Sequence, residues 1–407
     1  MTTKNAHRNG YKLTTLGWIP EEWGVDLLDK LAKRGSGHTP NKTFDKYYNG
    51  GIKWVSLADS CRLDNGYIHE TANNISEEGL MNSSAVLHPK GTILLSRDAG
   101  VGKSAVMAID MAVSQHFITW TCNGQLDNWF LYYFLQSKKE YFERHAVGST
   151  IKTIGLPLFK RLEIVKPPLT EQRRIAEILF TWDDAIIKTQ QFIKILEKRQ
   201  KGLAHVLLTK RKRLNGFKGK WRKRELGSLF TERVETGYVW LPLLSIGSLG
   251  VYPQSESEKR DNSNEDKSKY KRICPGDIGY NTMRMWQGRS AFSSLEGLVS
   301  PAYTIITPNK GEHSLFYSFL FKTPFIINKF FRNSQGLVED TLNCKFKDFS
   351  IIKVNTPNYD EQVAIAKVLQ KSEESIKLYK IKMAALQQQK KGLMQKLLTG
   401  EVRVTKS

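Results

Sequence analysis

Two stretches of the chain share one long alternation of apolar positions. Between Glu171 and Leu208 the spacing alternates between four and three. One seam is Ile175, Trp182, Thr189, Leu196 and Leu203, and the other is Leu179, Ile186, Ile193, Gln200 and Leu207. The second stretch gives Ile365, Ser372, Tyr379, Leu386 and Leu393 beside Leu369, Ile376, Met383, Lys390 and Leu397. A 3.5-residue period held over about five heptads predicts a coiled-coil helix rather than a helix lying on its own domain. Neither stretch has an internal proline. Pro167, Pro168 and Pro357 precede them, and Thr170 and Asp360 stand at matching candidate N-cap positions. About 38 residues at ~1.5 Å each make a rod of roughly 57 Å. The polar seam positions Thr189, Gln200, Ser372 and Lys390 cost stability and are placed to fix register.

The two stretches are copies. Residues 171–179 read EQRRIAEIL and residues 361–369 read EQVAIAKVL, 190 positions later. The match runs without a gap to Leu207-Leu208-Thr209 against Leu397-Leu398-Thr399. A fainter repeat lies upstream: Trp23, Leu28 and Leu31 against Trp221, Leu226 and Leu229, and Gly102-Lys103-Ser104-Ala105-Val106 against Gly288-Arg289-Ser290-Ala291-Phe292. The order is globule, long helix, globule, long helix. With both helices on one chain, an antiparallel intramolecular pair is the economical arrangement. Short β-type runs such as Thr92–Ser96, Phe117–Trp120 and Ala302–Thr307, with helices expected over about 126–144 and 313–331, make each globule mixed. The fold class is α+β: two similar mixed domains joined by two long helices. The expected boundaries are a tail over 1–16, a first domain over 17–168, helix and linker over 169–215, a second domain over 216–357, the second helix over 358–400 and a tail over 401–407.

Charge narrows the partner. The 407 residues carry 62 Lys and Arg against 40 Asp and Glu, a formal charge of +22, which points to a polyanion. Thirteen basic residues and one acid, Glu197, lie between Lys194 and Arg224. The first ten residues contain no apolar run and no stretch approaches a membrane span, so neither a signal peptide nor a membrane role is expected. The four cysteines are widely spaced without a C-x-x-C pair, which fits a reducing cytoplasm.

Catalytic patterns are missing. Gly102-Lys103-Ser104 resembles the end of a phosphate-binding loop, but Arg97 stands where the leading glycine belongs, so a strand-turn-strand hairpin is expected. Asn355-Thr356-Pro357-Asn358-Tyr359 faintly resembles an amino-methyltransferase element, yet it aligns with Val165–Leu169 at the entry to the other helix. No histidine pair has ligand spacing, and no carboxylate cluster suits metal-assisted hydrolysis. Asp183-Asp184 and Glu373-Glu374 lie on the rods, where a solvated charged face explains them. The chain therefore reads as a binder. The candidate DNA contacts are Lys53 beside a strand, Arg97 and Lys103 at the first glycine-rich turn, and Arg284, Trp286, Gln287 and Arg289 at its counterpart. Lys210, Arg211, Lys212 and Arg213 follow the first helix. Arg and Gln can bond base edges in pairs, while Lys mainly holds phosphate.

Several segments resemble the DNA specificity subunits of type I restriction-modification systems. They include Gly35–Pro40 with Gly51–Ser56, Leu95–Lys103, Pro168–Ala176, Tyr280–Gly288 and Gly297–Tyr303. The family's usual Gly-Gly-Thr-Pro reads Gly37-His38-Thr39-Pro40 here, and the second half lacks it. The resemblance implies that each globule is a target-recognition domain reading one half of a split double-stranded DNA target. The helices would act as a ruler, a 57 Å rod matching about 17 base pairs at ~3.4 Å each. It also implies assembly with two modification subunits, which bind S-adenosylmethionine and methylate adenine, and two restriction subunits using ATP and Mg²⁺. The coiled-coil faces would form the partner surface. This chain would bind no cofactor or metal and carry no catalytic residue. Weaker alternatives are a relative of a fused restriction-methyltransferase enzyme and a coiled-coil scaffold or adaptor.

Overall fold

The computed structural model describes residues 8–247, 250–257, 263–336 and 341–404. It divides into two compact units, Met1–Gln190 with Ile381–Ser407, and Gln191–Lys380. The long helices run Leu169–Leu208 and Tyr359–Leu398, 40 residues each, so each unit owns half of both. The boundary between the two units therefore falls inside the helices.

In the first unit a five-stranded sheet has the order Ala32–Ser36, Phe117–Cys122, Ile93–Ser96, Ser104–Met107, Tyr67–Ile68. A four-stranded sheet, Asn73–Ile75, Tyr48–Val55, Met111–Val113 and Leu87–His88, accompanies it. In the second unit a four-stranded sheet has the order Phe230–Arg233, Tyr303–Pro308, Ile278–Asn281, Ser290–Phe292. Its strands match the first four of the five-stranded sheet in order and in antiparallel pairing. Each unit also pairs a strand leading into its domain with the strand leading into a long helix: Gly24–Leu27 with Glu163–Lys166, and Arg222–Glu225 with Lys353–Thr356. The faint upstream repeat is thus one fold with different insertions.

Each unit buries the start of one long helix against the end of the other. In the first, Ile175 and Leu179 share a core with Trp120, Phe130, Phe159 and Leu397. In the second, Ile365 and Leu369 share one with Phe230, Phe316, Phe349 and Leu207. The pairing is antiparallel within each unit. Asp183 meets Lys390 and Glu171 meets Arg403 in one; Glu197 meets Lys380 at 2.7 Å and Phe192 packs on Tyr379 at 4.8 Å in the other. All twenty seam residues are buried or half-buried.

Several expectations change. Thr170 and Asp360 lie inside the first helical turn, and the cap of the second helix is Asn358, whose Oδ1 accepts the Glu361 amide at 3.1 Å. The single helices expected over 126–144 and 313–331 are each two, Asn128–Ser137 with Lys139–His145 and Ser314–Leu320 with Pro324–Asn333. Pro324 has no amide to continue the preceding helix and opens a new one. The N-terminal segment is no tail from Tyr11 onward, because Tyr11–Thr14 pairs with Gly17–Pro20 and the Tyr11 hydroxyl donates to the Gly400 carbonyl at 2.9 Å. The C-terminal segment is likewise docked through Arg403 and the Val404 amide, both donating to Glu171. Asp183 is not a solvated charge: it accepts the Tyr133 hydroxyl at 2.8 Å and the Lys390 ammonium at 2.5 Å. Burial, then the Asp183 charge, pushes the Tyr133 pKa well up, so it stays a donor.

Candidate nucleic-acid interface

The first glycine-rich turn joins Ile93–Ser96 to Ser104–Met107, which pair antiparallel with Ser104 opposite Leu95. A phosphate-binding loop opens a helix; this one opens a strand, so the hairpin reading holds. Asp98 Oδ2 is hydrogen-bonded to His116 Nδ1 at 2.7 Å, and Lys103 donates to the Ser60 carbonyl at 3.1 Å. Arg97 is half-buried, 4.0 Å from Asp98. Lys103 is therefore committed near the base of the turn, while Arg97 makes only a long approach to Asp98. Lys53 pairs with Glu70 at 2.6 Å, and Trp54 is buried with its indole donating to the His38 carbonyl.

That bond anchors the Gly35–Pro40 segment. The Tyr48 hydroxyl donates to the Pro40 carbonyl at 2.6 Å, and Thr39 bonds Gln115. Gly37 passes so close to the Val113 backbone that a Cβ there would lie 1.7 Å from its carbonyl oxygen. An open groove of about 490 Å³ follows, lined by Thr39, Lys42, Asn73, Ser114 and His116 among others. Through His116 it borders the glycine-rich turn.

The second turn joins Ile278–Asn281 to Ser290–Phe292 through a short 3-10 segment, Met285–Gln287. Gly288 closes it at φ 74°, where a side chain would also press on Ile327. Trp286 is half-buried, its indole donating to the Met283 carbonyl at 3.0 Å and its ring set edge-on against Phe331. It packs the turn, while Arg284, Gln287 and Arg289 are exposed. The same backbone frame thus presents different side chains in the two units.

A second loop sits beside each turn and was missed in the sequence. In the first unit Thr153 bridges both Asp98 and Val147, and the Ile154 amide donates to the Arg97 carbonyl at 2.9 Å. In the second, Asn343 bridges Gln335 and the Cys344 amide donates to the Thr282 carbonyl at 2.9 Å. The first loop exposes Val147, Ser149, Thr150, Ile151 and Lys152. Its available signal was two apolar residues, Val147 and Ile151, amid Gly, Ser, Thr and Lys. In the second unit an open groove of about 590 Å³ runs between turn and loop, lined by Lys271, Thr282, Met283, Asn343, Lys345 and Lys347 among others.

The basic run after the first helix divides. Lys210, Arg211 and Lys212 are exposed, but Arg213 donates from Nε to Glu361 Oε1 at 2.9 Å and from Nη2 to Oε2 at 2.5 Å. The Trp221 indole joins it on Glu361 at 3.3 Å. In the first unit Glu171 receives the Trp23 indole at 3.0 Å and Arg403 at 2.9 Å. The adjacent glutamines also match: Gln172 accepts the Asp127 amide and donates to the Pro167 carbonyl, while Gln362 accepts the His313 amide and donates to the Pro357 carbonyl. The repeated Glu-Gln pair is a structural clamp, and Arg213 belongs to it. Among the described residues no group of three or more His, Cys, Asp or Glu side chains is placed to hold a metal ion, and no helix is long and apolar enough to cross a membrane.

Comparison with known proteins agrees with this architecture. Residues 20–198 match the model of the type I restriction modification DNA specificity domain. The type I restriction enzyme MjaIX specificity subunit of Methanocaldococcus jannaschii is 30% identical over 190 residues, 46% of this chain, and the alignment spans only 44% of that relative. The putative MjaX specificity subunit of the same organism is 26% identical over 432 residues, covering 97% of both chains. The S subunit of a type I restriction-modification system from M. genitalium has the same fold, with TM-score 0.58 at 18% identity over 97% of this chain and 99% of that one. A chain from a structural study of type I system assembly and conformational transition gives 0.59 at 15% identity over 94% and 99%. Duplicated domains, shared long helices and these matches lead to one conclusion: residues 20–198 carry a type I restriction modification DNA specificity domain, and over its length the chain is similar to type I specificity subunits.

Proposed function

We propose that this chain is the DNA-recognition subunit of a type I restriction-modification complex. Each unit reads one half of a split duplex target, and the two continuous helices set the distance between the halves. The carrying observation is the same turn-and-sheet frame built twice with different exposed side chains, Arg284, Gln287 and Arg289 in one copy and Lys152 with the Gly35–Pro40 groove in the other. One scaffold with unlike readers suits an asymmetric two-part sequence. The charge of +22 supplies affinity for the backbone. Two modification and two restriction subunits would supply the chemistry, with S-adenosylmethionine, ATP and Mg²⁺ bound by them, while this chain binds and orients without a catalytic residue.

The test is adenine-methylation mapping by long-read sequencing after co-expression with the cognate modification subunit in a methylation-free host. A single bipartite motif that vanishes when this chain is omitted supports the reading. A folded complex with an active modification subunit and no such motif overturns it.

A further inference from the structure

The loop after the first sheet strand has the same construction in both units. In the second unit, strand Phe230–Arg233 is followed by a loop that holds Trp240 at 74% exposure, the most exposed tryptophan among the large hydrophobics on the described surface. The loop is not slack. The Gly237 amide donates to Ser268, the Leu241 amide to Tyr238 and the Arg272 amide to Glu235, all through backbone carbonyls. The Tyr238 ring lies 5.3 Å from Trp240, and the Arg272 guanidinium covers that tyrosine at 4.7 Å. Arg272 is itself pinned by Glu235 at 2.7 Å and by Glu296. A cation fixed by two carboxylates props a tyrosine, and the tyrosine props a tryptophan held out in water.

In the first unit the matching strand, Ala32–Ser36, leads to Phe44, 46% exposed. Its ring lies 5.1 Å from Tyr47, and the Lys46 ammonium stands over that tyrosine at 5.7 Å, paired with Glu78. The residues differ in type and order, but the device recurs: exposed aromatic, supporting tyrosine, capping cation, carboxylate. An ordered loop that leaves a large ring unpacked loses burial energy with no structural return. Its appearance at the same topological position in both halves points to a shared partner. The charge of the chain as a whole selects a polyanion whose bases offer apolar faces and thymine methyl groups.

From this recurrence we infer that Trp240 and Phe44 are base-contacting residues, one for each half of the duplex target, held out by Tyr238 and Tyr47. The inference rests on the DNA-reading function proposed above. The experiment uses the complex with its modification subunits and duplexes carrying either the mapped target or a scrambled sequence. 2-Aminopurine is substituted at single positions to report unstacking. Trp240→Ala is expected to weaken target binding by roughly five- to a hundredfold, the range for removing one aromatic ring from a base, with less than about a twofold change on scrambled DNA. Trp240→Phe is expected to restore most of the loss. Phe44→Ala is expected to act on the other half-site, so that base changes there no longer matter as much. Both residues being exposed, thermal melting should be unchanged, which checks the fold. Equal loss on both duplexes, or no loss, overturns the inference. So does failure to assemble with the modification subunits at unchanged DNA affinity, which would make the ring a protein contact. If the wild-type complex itself fails to prefer the target duplex, the DNA-reading function fails first, and the two failures are thereby separated.

Discussion

Glu171→Ala tests the clamp at the start of the first long helix. Glu171 is 4% exposed and accepts four hydrogen bonds: the Trp23 indole at 3.0 Å, Arg403 Nε at 2.9 Å and Nη2 at 3.1 Å, and the Val404 amide at 3.3 Å. Alanine leaves the Trp23 N–H, on a side chain with no exposure, without its acceptor, a cost of about 1–3 kcal/mol. Arg403 is 25% exposed and keeps Glu22 at 2.6 Å, so its loss is smaller, about 1 kcal/mol. The expected total is about 2–4 kcal/mol, with Glu171→Gln milder because one oxygen still accepts the indole bond. Because two units need not unfold together, hydrogen exchange at the Val404 and Gly400 amides reads the clamp locally, beside urea unfolding followed by tryptophan fluorescence. There is also a pH signature. Burial pushes the Glu171 pKa up, but the bonds from Arg403, Trp23 and the Val404 amide outweigh it and hold it below the usual 4.5. Its contribution is then complete above about pH 4.5 and is lost as pH falls through the lower folded value. The Glu171→Ala protein should lack that part of the acid loss. A change under about 0.5 kcal/mol with unaltered Val404 exchange would refute the reasoning.

Other outcomes follow from the same geometry. Gly37→Ala forces a shift away from the Val113 carbonyl and should destabilise the first unit by about 1–3 kcal/mol, read by melting, and blur one half of the methylated motif; an unchanged melt and motif would contradict the close approach. Arg289→Ala should cost about 1–3 kcal/mol of discrimination at one half-site in competition binding, whereas equal loss on target and random DNA would assign it to phosphate. Replacing Lys210, Arg211 and Lys212 together by alanine should flatten the salt dependence of DNA binding, by up to about 0.9 for each phosphate no longer neutralised; an unaltered slope would place these exposed cations off the DNA. Inserting one heptad into both long helices adds about 10 Å and should lengthen the methylated motif's spacer by roughly three base pairs, and a folded variant with the original spacer would sink the ruler.

The sequence by itself determined what depends on near neighbours. A heptad seam is written in residues three and four apart, so both helices and their inward faces were legible from Ile175 to Leu207 and from Ile365 to Leu397. The glycine-rich turns were legible because hairpins close over a few residues. Only the tertiary structure could decide which candidate side chains are already engaged. Lys53, Lys103 and Arg213 read as candidate DNA contacts, yet each is held within the protein: Lys53 by Glu70, Lys103 by the Ser60 carbonyl and Arg213 by Glu361. The repeated Glu-Gln pair was visible without its purpose, because Glu171 finds Arg403 at the far end of the chain and Glu361 finds Arg213 on the preceding linker. The loop at Val147–Thr153 joined the candidate interface only when its backbone bridged Asp98. Periodicity records which face of an element avoids water, a local property. A charge's partner depends on where the chain returns, and folding fixes that through burial across the whole unit.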